Sequence, residues 1–246
     1  MAALFISDLH IDASRPAITE QFLSFLADEA ARADALYILG DLFESWVGDD
    51  AADAAQAAVI EALGSLTRRV PCFVMHGNRD FLLTQEFSRM SGAQMLPDPL
   101  IATLYGIPVL LMHGDALCTD DRAYQRLRAT VRETDWQRRF LALPVASRRA
   151  LAGAARAGSE AHTKAMHPAI TDVNEDSVAG ALRSAGTATL LHGHTHRPGV
   201  HALKVDGRSC TRIVLGDWYE QGSFLRWDQN GPELVSLARK PAQEPA

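Results

Sequence analysis

Five short apolar runs in this chain each end on a cluster of oxygen- or imidazole-bearing residues, and no other feature constrains its fold as much. Ala3-Leu4-Phe5-Ile6-Ser7 leads into Asp8-Leu9-His10, and the later runs lead into Gly40-Asp41, Gly77-Asn78-Arg79-Asp80, His113-Gly114-Asp115 and His192-Gly193-His194-Thr195-His196. Each run reads as a strand, so an Asp, Asn or His stands at each strand's C-terminal end. Loops that carry only oxygen and imidazole donors predict a two-metal hydrolytic centre.

The spacing within the clusters supports that chemistry. Asp8 and His10 are read as sharing one face of an extended segment, since positions i and i+2 point the same way, and His194 and His196 repeat the pattern. Asp41, Asn78 and His113 are single donors. Paired hard-to-borderline ions need mixed carboxylate, imidazole and amide ligands with one bridging carboxylate. Held about 3.5–4 Å apart, such ions clamp a phosphoryl oxygen and acidify a shared water. A helical His-Glu-x-x-His zinc motif is absent, and the three cysteines, Cys72, Cys118 and Cys210, are odd in number and far apart. They favour reduced thiols in the cytosol over a disulfide framework. No signal-peptide pattern precedes the first strand, and no apolar run approaches the roughly 18 residues of a membrane span.

Strand character falls on Leu4–Ile6, Leu36–Leu39, Cys72–Met75, Val109–Met112, Thr189–Leu191, Ile213–Leu215, Phe224–Trp227 and Leu234–Leu237. Helical periodicity falls on Ile18–Ala31, Ala52–Leu66, Thr84–Met90 and Asp176–Arg183. Strand–helix alternation in the first half predicts an α/β layer architecture. The last third is strand-rich, with hairpin signals at Asp206-Gly207 and Asn230-Gly231. From Asp120 to about Ala169 the rhythm breaks into an Arg- and Ala-rich helical stretch that Pro144 should interrupt. The expected organisation is a core of residues 1–119 and 170–246, with 120–169 as a helical insertion, or lid, over the site.

Charge is unevenly spread. From Arg122 to Lys164, ten Lys/Arg stand against three acids, a local +7 in a chain of net charge −6, so the remaining residues carry −13. The acidic whole argues against a nucleic-acid partner, while the basic island predicts an anionic one, or simply a solvated helix face.

The five motifs resemble those of the calcineurin-like metallophosphoesterases, over most of the chain. That resemblance implies a four-layer α/β/β/α sandwich with a dinuclear site at the sheet edges. It implies one ion on Asp8, His10, Asp41 and His196, and a second on Asp41 (the bridge), Asn78, His113 and His194. It leaves His76, His192 and His201 as structural. Longer strings are similar to one subfamily, the UDP-2,3-diacylglucosamine pyrophosphatases of lipid A synthesis. These are Gly40–Asp50, Gly77–Leu82, His113–Asp121 and His192–Pro198. Arg79 stands where much of the wider superfamily carries His, and its fork suits a diphosphate rather than proton donation. The subfamily resemblance implies Asp41, Asn78, Arg79 and His113 as catalytic residues, and Asn78, Arg79, Asp121, Ser159 and His194 as substrate contacts. The subfamily's Ser-x-x-x-Asn-x-x-Lys spacing falls on Ser159, Thr163 and Met166, with Lys164 nearby to replace the missing lysine. The resemblance points to two Mn²⁺ ions, a lipid-linked UDP-sugar substrate, and a site on the anionic cytoplasmic face of the inner membrane as a peripheral protein. No obligate protein partner is inferred. The competing readings are another phosphoesterase, acting on nucleotides or phosphodiesters, and a non-enzymatic interaction module, which would be expected to have lost donors.

Overall fold

Strand β1 (Ala3–Ile6) is buried at every position, the signature of a strand with a layer on each side. The computed structural model describes residues 2–165, 170–219 and 222–237, without the side chains of 160–165. After β1 come α1 (Pro16–Asp28), β2 (Ala35–Leu39), α2 (Ala54–Leu66), β3 (Cys72–Met75), α3 (Gln85–Ser91), β4 (Gln94–Leu96), β5 (Leu100–Leu104) and β6 (Ile107–Met112). Three consecutive helices follow: α4 (Arg122–Val131), α5 (Thr134–Leu141) and α6 (Val145–Ala165). The chain continues through α7 (Glu175–Ala185), β7 (Thr189–His192), β8 (Gly199–Val205), β9 (Arg208–Val214), β10 (Ser223–Asp228) and β11 (Gly231–Ser236).

The strands form two sheets, ordered β11-β10-β1-β2-β3-β4 and β5-β6-β7-β9-β8. Alternation along β1 assigns its two faces: Leu4 and Ile6 meet Phe22, Phe25 and Leu63 of α1 and α2, whereas Ala3 and Phe5 enter the apolar layer between the sheets. Strand β6 does the same, with Val109 and Leu111 between the sheets and Leu110 and Met112 against Val178 and Leu182 of α7. The result is the expected α/β/β/α order of four layers.

All eight predicted strands and four predicted helices form. The sequence reading missed β4, β5 and β8, three strands with exposed positions and little continuous apolar character. Asp206 and Gly207 both take positive φ at the β8–β9 hairpin, as an Asp-Gly turn requires. At the next hairpin Asp228 pairs with Gly231, so Gln229 and Asn230 make the turn and Gly231 already belongs to β11. Pro144 ends the α5 region and sits one residue before α6, whose Arg148 N–H donates to its carbonyl at 3.1 Å. A ring there costs nothing, because the first turn's N–H groups have no intrahelical partner.

Candidate metal centre

Because β1, β2 and β3 run parallel in one sheet and β6 and β7 run parallel in the other, the five donor-bearing loops leave the same edge of the sandwich. The i, i+2 pairs were expected to be extended. They are instead left-handed, with φ 56° at Asp8, 51° at His10, 69° at His194 and 55° at His196, and the single donor Asp41 shares that conformation at 53°. That conformation costs a non-glycine residue about 1–2 kcal/mol, and backbone bonds between the loops hold it in place. Asp8 N–H donates to Gly40 O at 3.1 Å, His10 N–H to Asp41 O at 3.0 Å, and Gly193 N–H to His113 O at 2.8 Å. Two glycines permit the approach. A Cβ on Gly77 would fall 2.0 Å from Asp41 Oδ1, and one on Gly193 would fall 2.4 Å from Asp8 Oδ2.

Each carboxylate spends one oxygen on structure and leaves the other aimed at imidazoles. Asp8 Oδ2 accepts Ser7 Oγ–H at 2.5 Å and His194 N–H at 2.8 Å. Its Oδ1 is buried without a hydrogen-bond partner among the described residues, 3.4 Å from His196 Nε2 and 3.9 Å from His10 Nε2. Asp41 Oδ1 accepts the Arg79 N–H at 2.8 Å, and its Oδ2 lies 3.7 Å from His10 Nε2 and 3.8 Å from His113 Nε2. His10 Nε2 and His196 Nε2 face each other across 3.3 Å. His113 Nε2 lies 3.0 Å from Asn78 Oδ1, and the His194 ring sits edge-on to His113 at 5.1 Å. Two trios, Asp8–His10–His196 and Asp8–Asp41–His113, bring a donor atom from each member within 4.8 Å of the others. The structure thus gathers all seven predicted donors, with Asp8 common to both trios and Asp41 Oδ2 between His10 and His113.

The electrostatics fit cations. Burial is the largest influence on Asp41 and pushes its carboxyl up to about 7, with Asp80 and Asp8 adding repulsion against the pull of His113. Burial opposes a charge on His113 too, but Asp41, Asp115 and Asp8 together raise it to about 9. For Asp8, burial pushes up, yet contact with and charge on His196, then His113 and His10, hold it far below the carboxylate range. Burial takes His194 down to about 3. Acids crowded out of water must be neutralised by protons or by metal. An orphaned Asp8 oxygen and two ring nitrogens confronting each other suit metal.

Several residues that support the donors had no predicted role. Fully buried Asp80 accepts Gly77 N–H at 2.7 Å and Leu42 N–H at 2.8 Å, locking the Asp41 loop to the Asn78 loop. Asp217 Oδ2 lies 3.3 Å from His196 Nδ1, and Glu44 Oε2 lies 3.4 Å from His10 Nδ1. A carboxylate on the far ring nitrogen fixes a metal-binding histidine's tautomer and aim. Asp217 was legible in principle, since a Leu-Gly-Asp string stands at the end of β9 (Leu215-Gly216-Asp217) as at the end of β2 (Leu39-Gly40-Asp41). Of the histidines read as structural, His76 Nε2 lies 2.8 Å from Leu83 O, buried His192 Nδ1 lies 2.8 Å from Gly193 O, and His201 is exposed. Asp80→Asn should leave a buried N–H facing an amide N–H, at a cost of about 2–3 kcal/mol. The expected result is a melting temperature roughly 5–10 °C lower by calorimetry. An unchanged melting temperature would refute the locking role.

A cavity of about 590 Å³ opens beside this cluster, between it and helices α4–α6. Its walls are chiefly apolar (Phe81, Leu127, Val131, Trp136, Phe140, Leu151), and Asn78, Arg79 and Ser159 also line it. Trp136 and Phe140 stack at 5.0 Å with rings 11° apart. Asp121, also an expected substrate contact, is buried and caps α4 by accepting Tyr124 N–H at 2.9 Å. The expected contacts at Thr163 and Lys164 fall on side chains that are not described, and Met166 lies outside the described residues. The basic island divides its labour: Arg148 grips Asp50 at 2.5 and 2.8 Å and Val47 O at 2.5 Å, and Arg128 grips Asp115 at 2.7 Å. Arg138 remains well exposed.

A model of the calcineurin-like phosphoesterase family matches residues 1–198, so the chain belongs to that family. Similar curated proteins include a UDP-2,3-diacylglucosamine hydrolase of Stenotrophomonas maltophilia (strain R551-3), 52% identical across 98% of this chain and 100% of that protein. Another of the same name, from Xanthomonas campestris pv. campestris (strain ATCC 33913 / DSM 3586 / NCPPB 528 / LMG 568 / P 25), is 51% identical across 97% of this chain and 100% of that one.

Proposed function

We propose that this phosphoesterase hydrolyses the diphosphate of UDP-2,3-diacylglucosamine, giving UMP and 2,3-diacylglucosamine 1-phosphate in lipid A synthesis. One observation supports this reading most: an apolar cavity, large enough for acyl chains, lies beside the buried carboxylate–imidazole cluster and meets it through Asn78 and Glu44 on its wall. A soluble nucleotide would need the cluster without the cavity. The full-length similarity to proteins of that name points the same way.

Asp8, His10, Asp41 and His196 are proposed to hold one divalent ion, and Asp41, Asn78, His113 and His194 the other, with Mn²⁺ as the favoured metal. When bound, such ions supply Lewis acidity toward phosphoryl oxygens and acidify water. The chain's own residues do the rest. Asn78 and Arg79 reach the cavity from the loop that Asp80 locks, so they present an amide and a guanidinium fork to the diphosphate at a fixed height. Ser159 faces the cavity from α6 as a contact to the sugar or acyl amides, and Asp121, Thr163, Lys164, Met166 and His194 complete the proposed substrate set. Residues 120–169 are the proposed lid on a core of 1–119 and 170–246. Trp136, Phe140, Leu127 and Leu151 shelter the acyl chains.

Among the described residues no helix is long and apolar enough to cross a membrane. Leu127 of α4, Leu151 of α6 and Leu143 in the link between α5 and α6 are exposed, as are Arg122, Arg126 and Arg138 of α4 and α5. That mixture suits peripheral contact with the anionic cytoplasmic face of the inner membrane.

The deciding experiment incubates purified protein and Mn²⁺ with UDP-diacylglucosamine, UDP-N-acetylglucosamine, cyclic AMP and bis(p-nitrophenyl) phosphate. The acylated substrate should be turned over at least tenfold more efficiently than the others, and comparable rates on unacylated UDP-sugar would defeat the proposal. Arg79→His should lower kcat/KM on the lipid diphosphate by about 10–100-fold, the loss of charge-assisted hydrogen bonds. It should cost less on the small aryl phosphodiester. Equal losses would assign Arg79 to chemistry common to both substrates.

A further inference from the structure

Glu44 is 3% exposed, yet it lies at the meeting point of groups from separate parts of the chain. Its Oε2 accepts Arg15 Nη2–H at 2.6 Å and lies 3.4 Å from His10 Nδ1. Its Oε1 lies 3.2 Å from Arg156 Nε of α6 and 4.0 Å from Arg79 Nε. Glu44, Arg79 and Arg156 all line the large cavity. His10 Nδ1 is buried without a hydrogen-bond partner among the described residues, and the Glu44 carboxylate is the charge that faces it.

A carboxylate so placed does two things at once. It draws the His10 proton to Nδ1, leaving the Nε2 lone pair aimed at Asp8, Asp41 and His196. It also holds two guanidiniums at the inner end of the cavity, one from the Asn78 loop and one from α6. Arg15 is a third guanidinium on the same carboxylate, and Arg79 and Arg156 are the two of the three that line the cavity. The backbone fixes the position, since Glu44 N–H donates to Ile11 O at 3.1 Å.

We propose that Glu44 is a positioning residue that couples metal binding at His10 to the seating of helix α6 through Arg156. This rests on the metal and lid assignments of the proposed function but not on the identity of the substrate, and its test needs no turnover. Wild-type, Glu44→Gln and Arg156→Gln proteins are stripped of metal and titrated with Mn²⁺ against a chelator. Amide exchange across residues 145–159 is then followed with and without Mn²⁺. An amide at position 44 turns an N–H toward His10 or forfeits the arginines, so Glu44→Gln should bind Mn²⁺ about 10–100-fold more weakly, the usual cost of losing such a partner. In the wild type, Mn²⁺ should slow exchange in α6. Both variants should lose that metal-dependent protection, and Arg156→Gln should weaken Mn²⁺ binding only by the factor of protection it loses, less than Glu44→Gln, which also loses the contact to His10. Mn²⁺ affinity within threefold of wild type in folded Glu44→Gln overturns the proposal, as does metal-dependent protection of α6 that persists in either variant. If Glu44→Gln does not fold, the exchange result for Arg156→Gln decides alone. A purely structural Glu44 would lower stability in both metal states equally, and a failed substrate assay would leave these readouts unaffected.

Discussion

Replacing Asp41 by alanine is expected to abolish hydrolysis of every substrate, by more than about 10³-fold, at any Mn²⁺ concentration. Its Oδ2 stands 3.7 Å from His10 Nε2 and 3.8 Å from His113 Nε2, so it faces both donor groups together. Its Oδ1 is spent on the Arg79 N–H. Deleting the side chain removes a donor from both proposed ions and also releases the loop that carries Asn78 and Arg79. Asp41→Asn separates these effects, because the amide oxygen still accepts from Arg79 while the anionic oxygen is lost. Both variants should lose bound metal measured by elemental analysis, and only alanine should also loosen the Asn78 loop in amide exchange. Recovery of near wild-type rates in excess Mn²⁺ would end the bridging assignment for Asp41.

The donors were legible because parallel strands deliver their C-terminal ends to one edge, and five short apolar runs announced those strands. The backbone at the donors was not legible. Left-handed φ at Asp8, His10 and Asp41 is imposed by hydrogen bonds from loops far away in sequence, which no local propensity encodes. The same holds for the edge strands β4, β5 and β8, whose pairing depends on neighbours rather than on their own composition. Glu44 and Asp80 stood inside motifs that drew notice, but their work is visible only once Arg156 of α6 and the Leu42 N–H are seen beside them. The broken rhythm and the charge after Asp120 marked the segment in which α4, α5 and α6 form. Which arginines tie it down and which stay exposed depends on helix rotation, which composition does not reveal.

Rotation also decides which apolar residues of α4–α6 face the cavity. Trp136, Phe140 and Leu141 stand within six positions of one another on α5. Trp136 and Phe140 line the cavity, whereas Leu141 packs toward Gly48 and the helix-covered core of the first sheet. Leu127 and Leu151 are the sharper probes: both line the cavity and are 54% and 52% exposed, so changing them costs little in folding. Leucines half open to water gain most when something apolar covers them. Completing the burial of two such side chains is worth roughly 2–3 kcal/mol, about 30- to 150-fold in affinity. The double variant Leu127→Gln/Leu151→Gln should therefore raise KM for diacylated UDP-glucosamine by about that factor. Its melting temperature, metal content and kcat on an aryl phosphodiester should stay close to wild type. Discrimination between acylated and unacylated UDP-sugar should shrink by the same factor, because the loss falls only on the ligand that fills the cavity. A folded double variant that keeps the full preference for the acylated substrate would mean that the acyl chains bind elsewhere, and that the cavity beneath α4–α6 serves only to pack the helices.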